Sequence, residues 1–128
     1  MSIVYPIVAK RPSPLLDQAP QYYPILKRRS TQSTEQISEI ISKRCSLHPA
    51  DVHAVVIALS HEIRHSLESG MAVHLDQLGT FSLAARAKGS ADPRQVRESH
   101  IEKVALRFHA DKRIKTWLAR LSFRKARN

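Results

Sequence analysis

A chain of 128 residues, 42% of them hydrophobic, has the length of one domain and enough apolar content to bury about two-thirds of its unfolded surface. That excludes a disordered body. Twenty-one Lys and Arg against eleven Asp and Glu give a formal net charge of +10, and the excess is unevenly placed. Residues 86–128 hold thirteen basic and four acidic side chains, a balance of +9, against eight and seven over residues 1–85. The natural partner of such a segment is a polyanion. A membrane surface is excluded as that partner, because neither an apolar helical face nor a lipidation signal accompanies the charge. The longest apolar run, residues 54–59, is too short to span a bilayer. The amino terminus has no basic segment ahead of an apolar one, so a cytoplasmic location is expected. Cys45 is the single cysteine, which excludes an internal disulfide or a thiolate zinc cluster and predicts a small buried hydrophobe.

Residues 1–30 contain five of the seven prolines and all three tyrosines. Extended runs at 3–9 and 22–26 predict two strands. Pro6 and Pro24 put them at a sheet margin, where a missing backbone donor is tolerated, and Pro12, Pro14 and Pro20 predict the loop between. Lys27-Arg28-Arg29 then closes the segment as a linker open to phosphate or to solvent. Helical periodicity begins at Ser33 or Thr34, and Ser33 with Gln36 three residues on forms a capping box. Ile37, Ile40 and Ile41 define one apolar face. A break at Cys45 to His48 precedes Pro49, tolerated in a first turn, and Asp51, favourable at the positive end of the helix dipole. The second helix is predicted over about 49–69, with Val52, Val55, Val56, Leu59, Ile63 and Leu67 as one buried stripe.

Gly70 stops that helix, since glycine takes the left-handed conformation at no steric cost. Val73 and Leu75 alternate with His74 and Asp76, Gly79 permits a tight turn, and Phe81 and Leu83 restart the alternation. The result is a hairpin leaving a helix. Residues 84–100 are small, basic and polar and read as an exposed arm or loop, either a long hairpin or a short loop, with Pro93 opening a helical turn. Ile101, Val104, Leu106 and Phe108 mark a returning strand with Lys103, Ala105 and Arg107 on its other side. Asp111 caps a final helix whose apolar face is Ile114, Trp117, Leu118 and Leu121, while Lys112, Arg113, Lys115 and Arg120 project away.

This order, with Leu67-Glu-Ser-Gly70, Gly79-Thr-Phe81 and Phe108-His-Ala-Asp-Lys112-Arg-Ile-Lys115, resembles the HU and integration host factor family of bacterial histone-like DNA-binding proteins. The resemblance covers roughly residues 31–121. The amino-terminal extension is similar to that of a divergent Bacteroidetes-type branch in which a strand pair precedes the first helix. What the resemblance implies is an α+β fold with two amino-terminal helices, an antiparallel sheet carrying a basic arm, a carboxy-terminal helix and an intertwined homodimer. It implies a strand-bearing extension at 1–30 and an HU-like domain at 31–128. It also implies architectural binding of double-stranded DNA in the nucleoid, with no catalysis, cofactor, metal or small-molecule substrate. One departure stands out. Family members carry Arg-x-x-Arg-Asn-Pro at the arm, where the proline can wedge into the minor groove. This chain has Ala91-Asp92-Pro93-Arg94, and an aspartate there repels phosphate, which argues against insertion of Pro93.

The DNA-binding candidates are Arg86, Lys88, Arg94 and Arg97 on the arm, Lys103 and Arg107 on the returning strand, and Lys112, Arg113 and Lys115 on the last helix. Each neutralised phosphate releases condensed counterions, so binding should weaken with salt at a slope of about 0.9 per contact. No set of Asn, Gln and Arg is arranged to read major-groove edges, which points to backbone and shape recognition. An HU-fold structural or interaction protein with weak or lost DNA binding is the alternative. A third reading comes from His61-Glu62-Ile63-Arg64-His65, which has the His-Glu-x-x-His spacing of zinc hydrolases. At about 100° per residue both histidines fall opposite the apolar stripe, facing solvent, and no third ligand follows at a familiar spacing. The remaining histidines receive no role, and Phe81 and Trp117 are expected to pack in a core or dimer interface.

Overall fold

The computed structural model describes residues 2–10 and 19–127. In chain order the elements are β1 (Ser2–Tyr5), β2 (Ile7–Lys10), β3 (Gln21–Pro24), α1 (Thr34–Arg44), α2 (Pro49–Glu68), β4 (Val73–Leu75), β5 (Gly79–Ala87), β6 (Ile101–Ala110), α3 (Lys112–Leu118) and β7 (Ser122–Lys125). They form two compact units. One is Ser33–Thr116, and the other gathers the described residues up to Gln32 with those from Trp117 on. The loop expected around Pro12 and Pro14 lies outside the described residues.

Both long helices begin and end where side-chain chemistry dictates. The Ser33 hydroxyl accepts from the Gln36 amide at 3.2 Å while the Gln36 side chain accepts from the Ser33 amide at 2.8 Å, so two orphan donors of α1 are satisfied reciprocally. Helix α2 opens on His48, whose Nδ1 accepts from the Ala50 amide at 3.2 Å, followed by Pro49 in the first turn. It closes at Gly70, with φ of 79°. There the Gly70 amide donates to Leu67 O and the Met71 amide to Ser66 O, each at 3.0 Å, the double bond of a Schellman motif.

The three-stranded sheet has order β4-β5-β6, antiparallel throughout. Its tight turn is held from outside. Gln77 adopts φ of 69° and its amide donates to Asp111 Oδ2 at 3.1 Å. Asp111 also donates its own amide to Leu78 O at 2.9 Å and accepts from the Lys112 amide through Oδ1 at 2.8 Å. One carboxylate thus pins the β4–β5 turn to the start of α3. Register is fixed beside it, where buried Gly79 lies opposite Ala110. A Cβ on Gly79 would collide with His109 O and stand 2.8 Å from the Phe108 ring.

The other unit contains two two-stranded sheets, β2 with β3 antiparallel and β1 with β7 parallel. The extension expected over residues 1–30 therefore shares its unit with the chain's carboxy-terminal strand. That strand corrects the expected last helix, which stops at Leu118 and leaves Leu121 outside it. The expected arm is corrected too, because residues 84–87 belong to β5 and only 88–100 lie between the strands.

Burial departs furthest from expectation. Among the described residues the buried hydrophobics are Val52 and Leu67, at 5% and 8% exposure. Ile63 is half-buried, while Val55, Val56 and Leu59 are exposed, as are Ile37, Ile40 and Ile41 on α1. A large buried core within one chain is therefore not what forms. The stripe exists as a periodicity, but it is closed over only at Val52 and Leu67, and the positions between are partly covered. Cys45 is likewise exposed rather than buried, its thiol donating to Ile41 O at 3.2 Å. No described helix is long and apolar enough to cross a membrane.

The two glycines separate backbone cost from steric cost. Nothing lies within 4 Å of a Cβ on Gly70, so Gly70→Ala should lose only the left-handed preference, about 1 kcal/mol. Gly79→Ala meets backbone and an aromatic ring and should lose about 3 kcal/mol or more. Urea denaturation midpoints of the two variants test that order.

Candidate nucleic-acid interface

Successive side chains of a strand point to opposite faces, so the β5–β6 register sorts every residue of the ladder. On one face Phe81 pairs with Phe108, Leu83 with Leu106 and Ala85 with Val104. The two phenyl rings sit 5.0 Å apart between centroids, tilted by 48°. On the other face Thr80 pairs with His109, Ser82 with Arg107, Ala84 with Ala105 and Arg86 with Lys103. Strand β4 extends that polar face through His74, whose Nδ1 lies 2.9 Å from the Thr80 hydroxyl. Arg86, Lys103 and Arg107 therefore share one surface, and all three are exposed.

Lys115 joins them from α3. Its ammonium donates to His109 Nε2 at 2.8 Å; because an ammonium can only donate, the ring nitrogen is the acceptor. His109 thus anchors Lys115 beside the basic face. Lys112 lies on the same side of the helix, within about 60° of Lys115, whereas Arg113 is about 160° round from it. The last-helix candidates are consequently not one cluster.

The tip, residues 88–100, is ordered by short-range bonds. Lys88 donates its amide to His100 O at 2.9 Å, and 3-10 turns form at Pro93–Gln95 and Glu98–His100. Asp92 Oδ1 caps the first turn through the Arg94 amide at 3.0 Å, and the Arg97 amide donates to His100 Nδ1 at 2.8 Å. Pro93 opens its turn as expected and stands exposed.

Acidic partners temper three of the arm candidates. Glu102 places one oxygen 3.5 Å from Lys88 Nζ and the other 3.8 Å from Arg86 Nε, and Asp92 lies 3.7 Å from Arg94 Nε. The Arg86, Lys88 and Arg94 side chains remain largely exposed, so solvent screens these pairs and they are weak. Sequence reading did not single out Glu102 or His109. Glu102 becomes legible only once the bulge between Arg86 and Ala87 sets its neighbours.

His61 and His65 are both exposed on α2. His61 Nδ1 lies 2.7 Å from Arg64 Nη2, and since a guanidinium can only donate, that lone pair is already engaged. Among the described residues no three His, Cys, Asp or Glu side chains gather as a metal site. Trp117 is 58% exposed on this chain, and Phe81 is half-buried against Phe108.

Comparison with known proteins bears on the fold. Among curated proteins none matches the chain. The structure of an HU protein from Anabaena crystallised with DNA is 19% identical, at a TM-score of 0.55, over 70% of this chain and 99% of that one. A protein from Bacteroides vulgatus ATCC 8482 described as a bacterial DNA-binding protein is 12% identical, at a TM-score of 0.63, over 98% of this chain and 50% of that one. The present chain thus spans half of the second protein's length. At these identities the likeness is one of fold. The helices, sheet and order of elements are those of the HU-like fold, and the profile of the family described as an HU domain fused to a wHTH, Ig or glycine-rich motif covers residues 1–125: the chain belongs to that HU-HIG family.

Proposed function

We propose that this protein is an architectural DNA-binding protein, a homodimer that binds double-stranded DNA with little sequence preference and bends or compacts it in the bacterial nucleoid. The observation that carries the reading is the division of the β5–β6 ladder into an apolar face and a basic face. Arg86, Lys103, Arg107 and Lys115 line the basic side; Lys88, Arg94 and Arg97 extend it toward the tip, Lys112 flanks it on α3, and Arg113, on the far side of that helix, would reach a more distant phosphate. Their work is charge neutralisation along the phosphate backbone, which releases counterions and needs no base contact. The likeness to an HU protein crystallised with DNA supports the same partner. The role is binding rather than catalysis.

The apolar side supports the dimer. Leu83, Leu106, Phe108, Ile37 and Ile40 are each between 40% and 59% exposed on one chain, and exposed large apolar side chains of that number mark an interface. A second copy covers it and completes the core that one chain lacks. Sedimentation equilibrium should therefore give twice the 14.5 kDa chain mass, and Leu106→Glu should dissociate the dimer by placing a charge in the interface.

Fluorescence anisotropy with a labelled duplex across a salt series tests the basic face. Arg107→Ala and Lys103→Ala should each weaken binding alike for all sequences and lower the salt slope by about 1. Absence of salt-dependent binding at low ionic strength would sink the proposal in favour of an HU-fold interaction protein. In the same assay Glu102→Gln, which frees Arg86 and Lys88, should tighten binding about twofold at low salt and leave it unchanged at high salt.

A further inference from the structure

The division of the chain into two units relocates its charge. Residues 33–116, which carry the helices and the three-stranded sheet, hold twelve Lys and Arg against ten Asp and Glu, a balance of only +2. Residues 1–32 and 117–128 hold nine Lys and Arg against one acid, Asp17, a balance of +8. Every ion pair among the described residues belongs to the 33–116 unit. The terminal unit is therefore strongly positive, and among its described residues no ion pair offsets that charge.

The same unit holds five of the seven aromatic residues, and all but half-buried Tyr5 are open to solvent. Tyr22 is 69% exposed and Phe123 53%. In the parallel β1–β7 pair Ile3 stands beside Phe123 and Tyr5 beside Lys125, so ring and cation alternate on one sheet face. A cleft of about 420 Å³ is lined by Tyr22, Pro6, Ile7, Lys125, Ala126 and Arg127, within the size range of small-ligand sites. An exposed tyrosine and two cations thus border one concavity.

We propose that this terminal unit is a second nucleic-acid surface, taking single-stranded DNA or RNA by stacking unpaired bases on Tyr22 and Phe123 while Lys125 and Arg127 hold the backbone. Two physical arguments select that occupant. A second copy of the unit would set like charge against like charge, which opposes self-association there. A duplex satisfies the charge but hides its base faces, whereas a single strand offers both phosphate and an open ring for each exposed aromatic. The surface is made of residues other than those assigned to duplex binding, so it stands or falls independently of that assignment.

The test uses the full chain with a labelled oligothymidylate and, in parallel, a duplex of equal length. Tyr22→Ala should weaken single-strand binding about tenfold and leave duplex binding unchanged, Tyr22→Phe should retain it, and Lys125→Glu with Arg127→Glu should abolish it at moderate salt. Circular dichroism confirms that each variant folds. Single-strand affinity unchanged in Tyr22→Ala overturns the proposal, whether or not the charge reversals act, because the backbone alone would then be recognised. Unaltered oligonucleotide binding in the charge-reversed protein, with lost sedimentation on phosphatidylglycerol vesicles, overturns it in favour of a lipid surface.

Discussion

Everything functional in the 33–116 unit depends on the register of β5 on β6. Because side chains alternate with a period of two, a slip of β5 by one residue would carry Arg86 to the apolar side and Phe81 and Leu83 to the basic side, while Lys103, Leu106 and Arg107 on β6 kept theirs. The register is held at one end by Gly79, the residue small enough to lie against His109 O and the Phe108 ring. At the same end Asp111 ties the β4–β5 turn to α3. At the far end the bulge between Arg86 and Ala87 ends the regular alternation before the tip. Three local devices therefore decide which face of a ladder ten residues long on β6 meets solvent.

What was legible in the sequence is what short-range chemistry encodes. Ser33 and Gln36 announce a capping box, Pro49 a first turn, Gly70 a left-handed stop, and each forms as read. The alternation from Phe81 onward and from Ile101 onward gives the strands and separates Lys103 and Arg107 from the apolar positions. What was not legible depends on partners distant in sequence. Strand β7 is four residues long, lacks apolar alternation and pairs with the opposite end of the chain, so nothing local distinguishes it from a helix tail. The apolar stripe of α2 is legible as a periodicity, which says which residues share a face but not whether anything packs on it. Glu102 and His109 act through cross-strand and strand-to-helix neighbours, invisible until the register is known.

Charge teaches a related lesson. A count along the sequence assigns the positive excess to everything after residue 85, yet the fold returns residues from Trp117 on to the amino-terminal strands. The HU-like unit then has nearly balanced charge, and its basic character is a matter of arrangement: seven of its ten acids lie on α1, α2 and the tip, while Lys103, Arg107 and Lys115 occupy one side of the sheet. Field direction rather than net charge is what the sheet supplies. Most of the net positive charge resides in the terminal unit.

The parallel pairing of β1 with β7 joins the two ends of the chain in one sheet. Tension applied between those ends pulls the strands lengthwise past each other, in shear, so the inter-strand hydrogen bonds share the load instead of breaking one at a time. A domain attached at either end would thus transmit force to the sheet as a whole. Trimming either terminus would cost the other its only strand partner among the described residues, so the two ends are mechanically a single element.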